Sequence, residues 1–444
     1  MNHDMPTQVD VLIIGQGICG TFLSLELERT GLSYLVIDEA KTPPQSMRPA
    51  VVTRAGSPIP ASSTFPGSST FPASSAFPAS STFPASRAAA GLINPVTGRR
   101  LVTTWMIDEL LAFAQERYGQ LASVLGASFL EKAHVTDFFP TAQMRLAFLR
   151  RLEEDGSYLR LPENEHNWDG CFHYELGYGI ISPCYLVDLP GLLAAARKRM
   201  LGQGVLREQR FESGELEVGT VPGAELVSRT LNASTLSSST PGDGVSAGYG
   251  AVRYQDIEAK RIVFCDGVGS FASPYFSRLP FAPNKGEVLI VDIPGLAAMA
   301  AGMGKKDGID GAAAERTIFK KGISLAPWQE GLYWVGSSYE WSFETAGPTE
   351  GFRQKTEMAL KEWVKLPFRI VDHIAAVRPA TLERRPFVGF HPVYPAVGIL
   401  NGMGTKGCSL APYFARQLVD YLSKGSPIRA DADILRFTKV LSRG

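Results

Sequence analysis

The sequence predicts an α/β protein in which a Rossmann-like, dinucleotide-binding domain with a parallel sheet, assembled from both ends of the chain, holds an inserted antiparallel-sheet α+β domain. Three observations carry that prediction. The chain opens with an apolar run, a glycine-rich turn, a helix-like stretch and a second apolar run that ends in two acids. It closes with another apolar run, glycine turn and helix-like stretch, and between Lys285 and Glu340 it reads as short strands rich in aromatic and β-branched residues.

Composition narrows the function classes. The 444 residues carry 44 basic and 44 acidic side chains, so the formal net charge is zero. That balance argues against a nucleic-acid-binding protein, whose affinity comes from an excess of Lys and Arg over phosphates. Apolar residues make up 45% of the chain, enough for about two or three domain cores. No run of about 18 apolar residues occurs, and the opening MNHDMPTQ has no basic region followed by an apolar stretch. No membrane span is expected, and the location is expected to be cytoplasmic. The five cysteines, Cys19, Cys171, Cys184, Cys265 and Cys408, are scattered and form no CxxC pair, which predicts free thiols and no structural metal.

Val9–Ile14 is a β-branched run suited to a strand buried on both faces. Gly15-Gln16-Gly17-Ile18-Cys19-Gly20 follows, then a helix over Thr21–Thr30 that Gly31 ends, and a second strand, Tyr34–Ile37, running into Asp38-Glu39. Between Pro60 and Phe83 a six-residue repeat appears (PASSTF, PGSSTF, PASSAF, PASSTF) within a low-complexity insertion over 42–84. A proline in every repeat excludes a helix or central strand and predicts an extended surface segment. Phe65, Phe71, Phe77 and Phe83 offer partner docking through the 60–84 repeat; the alternative is a tolerated insertion without chemistry. Ser228–Gly250 reads as a loop between two hairpin strands, and its Asn232-Ala233-Ser234 sequon has no secretory context to give it meaning.

Helices are predicted over Val102–Gln120 and Val187–Gly202, the latter with Asp188 as cap and Pro190 in its first turn. Arg261–Gly267 reads as a buried strand entering a tight turn. Strands follow in GEVLIVDI, TIFKKGISLAP and GLYWVGSSYEW, then a helix over Glu350–Val364 and a strand around His373–Arg378. Val397–Asn401 is the last strand, Gly402–Gly407 its turn and Ser409–Leu422 the closing helix.

A GxGxxG pattern alone is weak: 44 glycines in 444 residues give about 0.4 chance matches per chain, and this chain holds two. Only the first is followed by helix, strand and an acidic pair. There Gly15 permits the tight turn, Gly17 lets the backbone approach a pyrophosphate, and Gly20 lets helix and strand pack closely. Asp38 and Glu39 suit the ribose hydroxyls, and two adjacent acids disfavour a 2′-phosphate. The pattern does not choose between FAD and NAD.

Three distant segments do. Ala85-Ser86-Arg87-Ala88-Ala89-Ala90-Gly91-Leu92, the strand-turn IVFCDG, and the closing RRPFVGFHP…GILNGMGTKGCSLAPYFARQL resemble the glycine oxidase and D-amino acid oxidase family of FAD enzymes in order and spacing. The resemblance implies a discontinuous FAD-binding domain from 1–41, 85–115, 185–275 and 385–444, and an antiparallel-sheet α+β substrate domain from 116–184 and 276–384. It places Ser86 and Arg87 near the phosphates, Gly91 near the flavin ring, and Asp266 and Gly267 at the cofactor. The turn Gly402, Gly404, Thr405, Lys406 and Gly407 then points its backbone N–H groups at the flavin N1 and C2 carbonyl edge, where Lys406 adds a positive charge. The alternative for Lys406 is a solvent-exposed turn lysine.

Arg378 matches the arginine that grips the substrate carboxylate in amino acid oxidases of this family, a task suited to its planar fork. The implied activity is hydride transfer from the alpha carbon of a small amino or imino acid to flavin N5. The resemblance also implies noncovalent FAD, since sarcosine oxidases attach flavin through a cysteine near the position of Val377 or Arg378 and none lies between Cys265 and Cys408. The sequence also departs from the family. Thr405 stands where glycine oxidase has an arginine, Ser324 lies near its substrate tyrosine, and Trp334 occupies the place of the oxygen-activating lysine of sarcosine oxidases. Asn94, Arg99 or Arg100, Tyr339 and Trp341 are candidates for the substrate cavity, and His373 and His391 read as structural. A 2-hydroxy acid dehydrogenase on the same scaffold, or a flavin-binding protein without turnover, stays open.

Overall fold

Runs of β-branched and aromatic residues without polar alternation are stable only when both faces are covered, and three of them lie side by side in the first sheet. Thr7–Ile14 pairs in parallel with Ile257–Phe264 on one side and Tyr34–Ile37 on the other. Leu206–Arg207 extends the parallel sheet beyond Tyr34–Ile37, and Val397–Asn401 extends it beyond Ile257–Phe264. Phe387–Phe390 runs antiparallel to Val397–Asn401, and Leu216–Val218 with Val252–Tyr254 forms an antiparallel extension on the first half of Ile257–Phe264. The structure, a computed structural model, describes residues 6–39, 83–98, 100–219, 251–303 and 315–443. The repeat up to residue 82, the stretch 228–250 with its sequon, and Arg99 lie outside the described residues.

Alternation along the strands sorts the two faces. Val11 and Ile13 face a core shared with helices Ile18–Thr30, Ile107–Leu125, Leu189–Gly202 and Gly407–Lys424, whose Phe22, Tyr118, Leu192 and Phe414 fill it. Leu12 and Ile14 face the other way, against Tyr254, Phe264 and Phe276. Asp188 caps Leu189–Gly202 by accepting from the Gly191 N–H at 3.0 Å, and Pro190 occupies its first turn, as expected.

The second sheet runs Arg369–Arg378, Asn284–Asp292, Tyr333–Gly336, Ile323–Pro327, Arg316–Lys321, Leu130–Phe138, Tyr178–Val187 and Leu92–Ile93. Its neighbours are antiparallel except Arg316–Lys321 beside Leu130–Phe138, which is parallel. One face, with Val288, Ile290, Ala326 and Trp334, packs with Ala88 and Val96. The other carries Phe138, Leu289 and Phe319, which pack with Phe172 and the helix Glu350–Trp363. The phenylalanine that ends the repeat, Phe83, is half-buried against the first of these faces, so it is engaged within its own chain.

One helix is displaced from its expected place and three elements were not foreseen. The helix predicted over Val102–Gln120 runs over Ile107–Leu125, because Val102 and Thr103 pair with Val96 and Thr97 in a short ribbon and the apolar stripe continues through Leu121 to Gly126, whose φ is 73°. Leu130–Phe138, the helix Ala142–Glu154 and Tyr178–Val187 carry no sequence prediction; Glu131, Lys132, His134 and Asp137 break the apolar pattern that would have marked the first strand. No helix among the described residues is long and apolar enough to cross a membrane.

Candidate cofactor and substrate site

In an open parallel sheet, ligands bind beyond the carboxyl ends of the strands. Here those ends, Ile14, Ile37, Phe264 and Asn401, open onto a cavity of about 750 Å³ whose opposite wall comes from the second sheet through Gly286, Val288, Ser324, Ala326, Trp334 and Gly336.

The first glycine turn is sterically specified. Gly15 has φ 97°, and a Cβ there would lie 2.7 Å from the Cys265 carbonyl oxygen. A Cβ on Gly20 would lie 1.9 Å from the Gly15 carbonyl oxygen, so the first turn of Ile18–Thr30 rests directly on the strand end. Gly17 precedes that helix, and the Ile18 N–H donates to Ser86 Oγ at 3.2 Å. Gly15, Gly17, Ile18 and Cys19 line the cavity, which brings the positive end of the helix dipole to it. Gly20 does not line it; its work is the close packing.

Asp38 and Glu39 line the cavity beside this turn. Asp38 Oδ1 accepts from the Gln16 N–H at 2.9 Å and Oδ2 accepts from Arg197 Nη1 at 2.6 Å. Arg197 also donates to Gln16 Oε1 at 3.1 Å and to Glu208 at 2.8 Å. An ionised carboxylate offers about four acceptor positions, so Asp38 keeps two for ribose hydroxyls while its orientation is fixed. Asp38→Ala is expected to weaken dinucleotide binding at least tenfold, since a charge-assisted bond contributes about 1.5–3 kcal/mol. Fluorescence titration of the apoprotein measures this; an unchanged Kd removes Asp38 from the site.

Ser86, Arg87 and Gly91 also line the cavity. Burial lowers the pKa of the Arg87 guanidinium, and Asp38 acts in the opposite sense. Gly91 has φ 79° and a Cβ there would lie 1.9 Å from the Val187 carbonyl oxygen. Beyond Ile257–Phe264, burial pushes the Asp266 carboxyl up to about 6, against the lowering effect of the Ser270 hydroxyl. Asn401 Nδ2 donates to Gly267 O at 2.8 Å and to Ser270 Oγ at 3.0 Å, while its Oδ1 accepts from the Gly402 N–H at 2.8 Å. Asn401 thereby joins the 266–270 turn to the second glycine turn. The Gly402 amide is committed to Asn401 and Gly402 lies off the cavity wall, whereas Gly267, Gly404, Thr405, Lys406 and Gly407 line it.

Lys406 points Nζ at Thr104 Oγ1, 3.1 Å away, and Thr104 Oγ1 donates to the Asn94 carbonyl at 3.1 Å. Burial pushes the Lys406 ammonium down to about 8. Arg378 lies across Gly286, where a Cβ would lie 1.9 Å from Nη2. Its Nη1 donates to Asn284 Oδ1 at 2.6 Å, its Nη2 to Ser337 Oγ at 2.7 Å, and both reach Ser338 O at 3.3 Å, with the Tyr339 ring 5.6 Å away. Burial lowers its pKa, opposed by Tyr339 and Glu340. Among the described residues no carboxylate lies within ion-pair distance of Arg378 or Lys406.

Trp334 and Asn94 line the cavity, and Trp334 Nε1 donates to Ala88 O at 2.8 Å. Tyr339 and Trp341 are each 52% exposed and lie off the wall. Arg100 is exposed, and His373 and His391 lie outside the cavity. Burial pushes the His391 imidazole down to about 4, and its Nδ1 accepts from the Val393 and Tyr394 amides at 3.2 Å. Sequence reasoning missed Gln16, Thr104, Arg197, Ser337 and Asn401. Asn401 is a polar residue ending an apolar strand, a usable signal; Arg197 is one of several basic residues on a helix and has none.

The FAD dependent oxidoreductase (DAO) family model matches residues 10–421. Among curated relatives, glycine oxidase of Pseudomonas aeruginosa is 24% identical over 180 residues, 39% of this chain; the chain thus spans only 44% of that relative's length. Among solved structures, glycine oxidase from Geobacillus kaustophilus superposes with a TM-score of 0.63 at 16% identity, covering 99% of both chains. Iminodiacetate oxidase from Chelativorans sp. BNC1 has a TM-score of 0.60 at 17% identity, over 96% of this chain and 98% of that one. L-proline dehydrogenase from P. horikoshii has 0.59 at 14%, over 98% and 99%. At such identities these likenesses show the fold.

Proposed function

The chain belongs to the FAD-dependent oxidoreductase (DAO) family, and from that premise we propose that it oxidises a small amino or imino acid whose carboxylate is held by Arg378. One observation carries the reading: a half-buried guanidinium faces the cavity with neutral acceptors only, Asn284, Ser337 and Ser338. A buried cation without a counter-charge is costly, and an anionic ligand relieves that cost.

The residues present suit a flavin dinucleotide. The cradle at Gly15 and Gly17, the helix start at Ile18 and the carboxylates of Asp38 and Glu39 fit its pyrophosphate and ribose. Burial pushes the thiols of the cavity-lining Cys19 and Cys408 up to about 12, which makes them poor nucleophiles and supports noncovalent binding. Bound there, FAD would supply a two-electron acceptor for oxidation of the substrate. Arg378 orients the carboxylate, Trp334 and the second-sheet wall exclude water, and Lys406 sets a positive charge at the cavity edge where negative charge develops. The side chains hydrogen-bonded to Arg378, Asn284 and Ser337, are neutral and not bases, so the substrate amine enters neutral by losing its proton to solvent. On this reading the parallel-sheet half serves the cofactor and the second sheet the substrate, on the division 1–41, 85–115, 185–275 and 385–444 against 116–184 and 276–384, except that Leu92–Ile93 and the end of Tyr178–Val187 pair within the second sheet.

Anaerobic mixing of the yellow holoprotein with glycine, sarcosine, iminodiacetate, L-proline and 2-hydroxy acids tests this. Bleaching of the flavin band by an amino or imino acid is expected. Bleaching by 2-hydroxy acids alone, or by nothing, overturns the proposal. Hydrogen peroxide in air then separates an oxidase from a dehydrogenase.

Lys406 gives a pH-dependent prediction. Held at about 8 rather than 10.5, its amine carries charge below about pH 8 and loses it above. The midpoint potential of Lys406→Met is expected below that of the native protein at pH 7, the gap narrowing above pH 8 as the native amine deprotonates. Coincident potentials at pH 7 would remove Lys406 from the flavin.

A further inference from the structure

Strand Asn284–Asp292 turns Gly286 and Val288 to the cavity, so Lys285 and Glu287 face the opposite side of the sheet. There Glu287 is 0% exposed and Lys285 1% exposed. The Glu287 carboxylate meets Lys285 Nζ at 2.9 Å, the Thr349 N–H at 2.6 Å, the Thr349 hydroxyl at 2.7 Å and His373 Nε2 at 2.9 Å. A charge buried this deeply is tolerated when its oxygens are satisfied, as these are. None of the four residues lines the cavity, and the reaction proposed above uses none of them.

The cluster holds one segment of chain, residues 337–349. That segment leaves strand Tyr333–Gly336 and follows Asn284–Asp292: Ser338 N–H donates to Glu287 O at 3.1 Å, and Ser338 Oγ accepts from Glu287 N–H at 3.0 Å. Glu340 and Lys285 exchange backbone bonds of 3.0 and 2.9 Å. At its far end Thr349 caps helix Glu350–Trp363 and reaches the Glu287 carboxylate. Glu287 therefore secures both ends, Ser338 through its main chain and Thr349 through its side chain. Between them the segment presents Ser337 Oγ, Ser338 O and the Tyr339 ring to Arg378.

Resting on the assignment of Arg378 to the substrate carboxylate, we propose that Glu287 is a positioning residue: it fixes segment 337–349 as a collar that presents the Arg378 guanidinium to a carboxylate ligand in one orientation. A long side chain gains binding strength when its orientation is set before the ligand arrives, because less rotamer freedom is lost on binding. Apart from Ser337 the collar lies off the cavity wall, so it acts on the ligand through Arg378 and the Ser337 hydroxyl bonded to it.

The test is titration of the holoprotein with benzoate, glycine and iminodiacetate as carboxylate probes, read as perturbation or reduction of the flavin spectrum. Native protein, Arg378→Ala, Glu287→Gln, Thr349→Val and Thr349→Ser are compared, with flavin content and Tm recorded for each. Arg378→Ala is expected to abolish binding. Glu287→Gln is expected to weaken it about tenfold and Thr349→Val several-fold, at full flavin content, and Thr349→Ser to restore it because the hydroxyl is kept. Should Glu287→Gln not fold, Thr349→Val and its serine rescue decide the matter. Loss of binding in Arg378→Ala together with native affinity in the Glu287 and Thr349 variants overturns the collar and leaves Arg378 in place. Native affinity in Arg378→Ala, or no response of the native protein to any probe, overturns the carboxylate assignment and the collar with it.

Discussion

Arg378→Ala is expected to raise the substrate KM, or the Kd for flavin reduction, by about 30-fold or more, the consequence of removing one member of a desolvated charge pair at about 2–5 kcal/mol. Three geometric facts set the size of that effect. The guanidinium is half-buried, its three acceptors are all neutral, and Gly286 beneath it leaves room that any side chain would fill. With the arginine gone, Lys406 does not take its place, because its amine is directed to Thr104. Arg378→Lys recovers only part of the affinity: a single ammonium does not span Asn284 Oδ1 and Ser337 Oγ as the fork does, and it offers no second parallel bond to a carboxylate. The flavin content of both variants remains that of the native protein, since Arg378 belongs to the second sheet and touches none of the strand ends that form the dinucleotide cradle. Native KM in Arg378→Ala would remove the carboxylate clamp.

The geometry of the first glycine turn was legible in the sequence because its constraints are local. Gly15, Gly17, Gly20 and Asp38 sit within one strand-turn-helix-strand unit, and each answers to a constraint that spacing expresses. The closing strand, turn and helix were equally plain, with Gly407–Lys424 starting two residues before the prediction. The supporting contacts were not legible. Arg197 reaches Asp38 across 159 positions, and Asn401 reaches Gly267 across 134, so no window of sequence contains both partners. Strand Leu130–Phe138 was hidden for a different reason: its polar residues face partners such as Glu315 and Lys320, which arrive from elsewhere in the chain. Gly286 and Gly336 likewise read as ordinary strand glycines until Arg378 and Val288 are seen to occupy the space where their side chains would stand.

Gly20→Ala strips the protein of its flavin although Gly20 does not line the cavity. An added Cβ would lie 1.9 Å from the Gly15 carbonyl oxygen, a backbone atom at the end of the central strand that cannot swing aside as a flexible side chain would. The helix Ile18–Thr30 must then move off the strand, carrying Ile18 and Cys19 away from the cavity wall. The helix terminus loses its reach to a pyrophosphate, an interaction that weakens within about one helical turn. Gly119→Ala gives the contrast: Gly119 lies inside helix Ile107–Leu125 and a Cβ there meets nothing within 4 Å, so the change keeps the flavin and adds up to about 1 kcal/mol of stability. Absorbance of the purified proteins at the flavin band, scaled to protein concentration, checks both. A yellow Gly20→Ala at native stoichiometry would mean that the dinucleotide does not depend on this helix start, and the assignment of the cradle to residues 15–20 would fall with it.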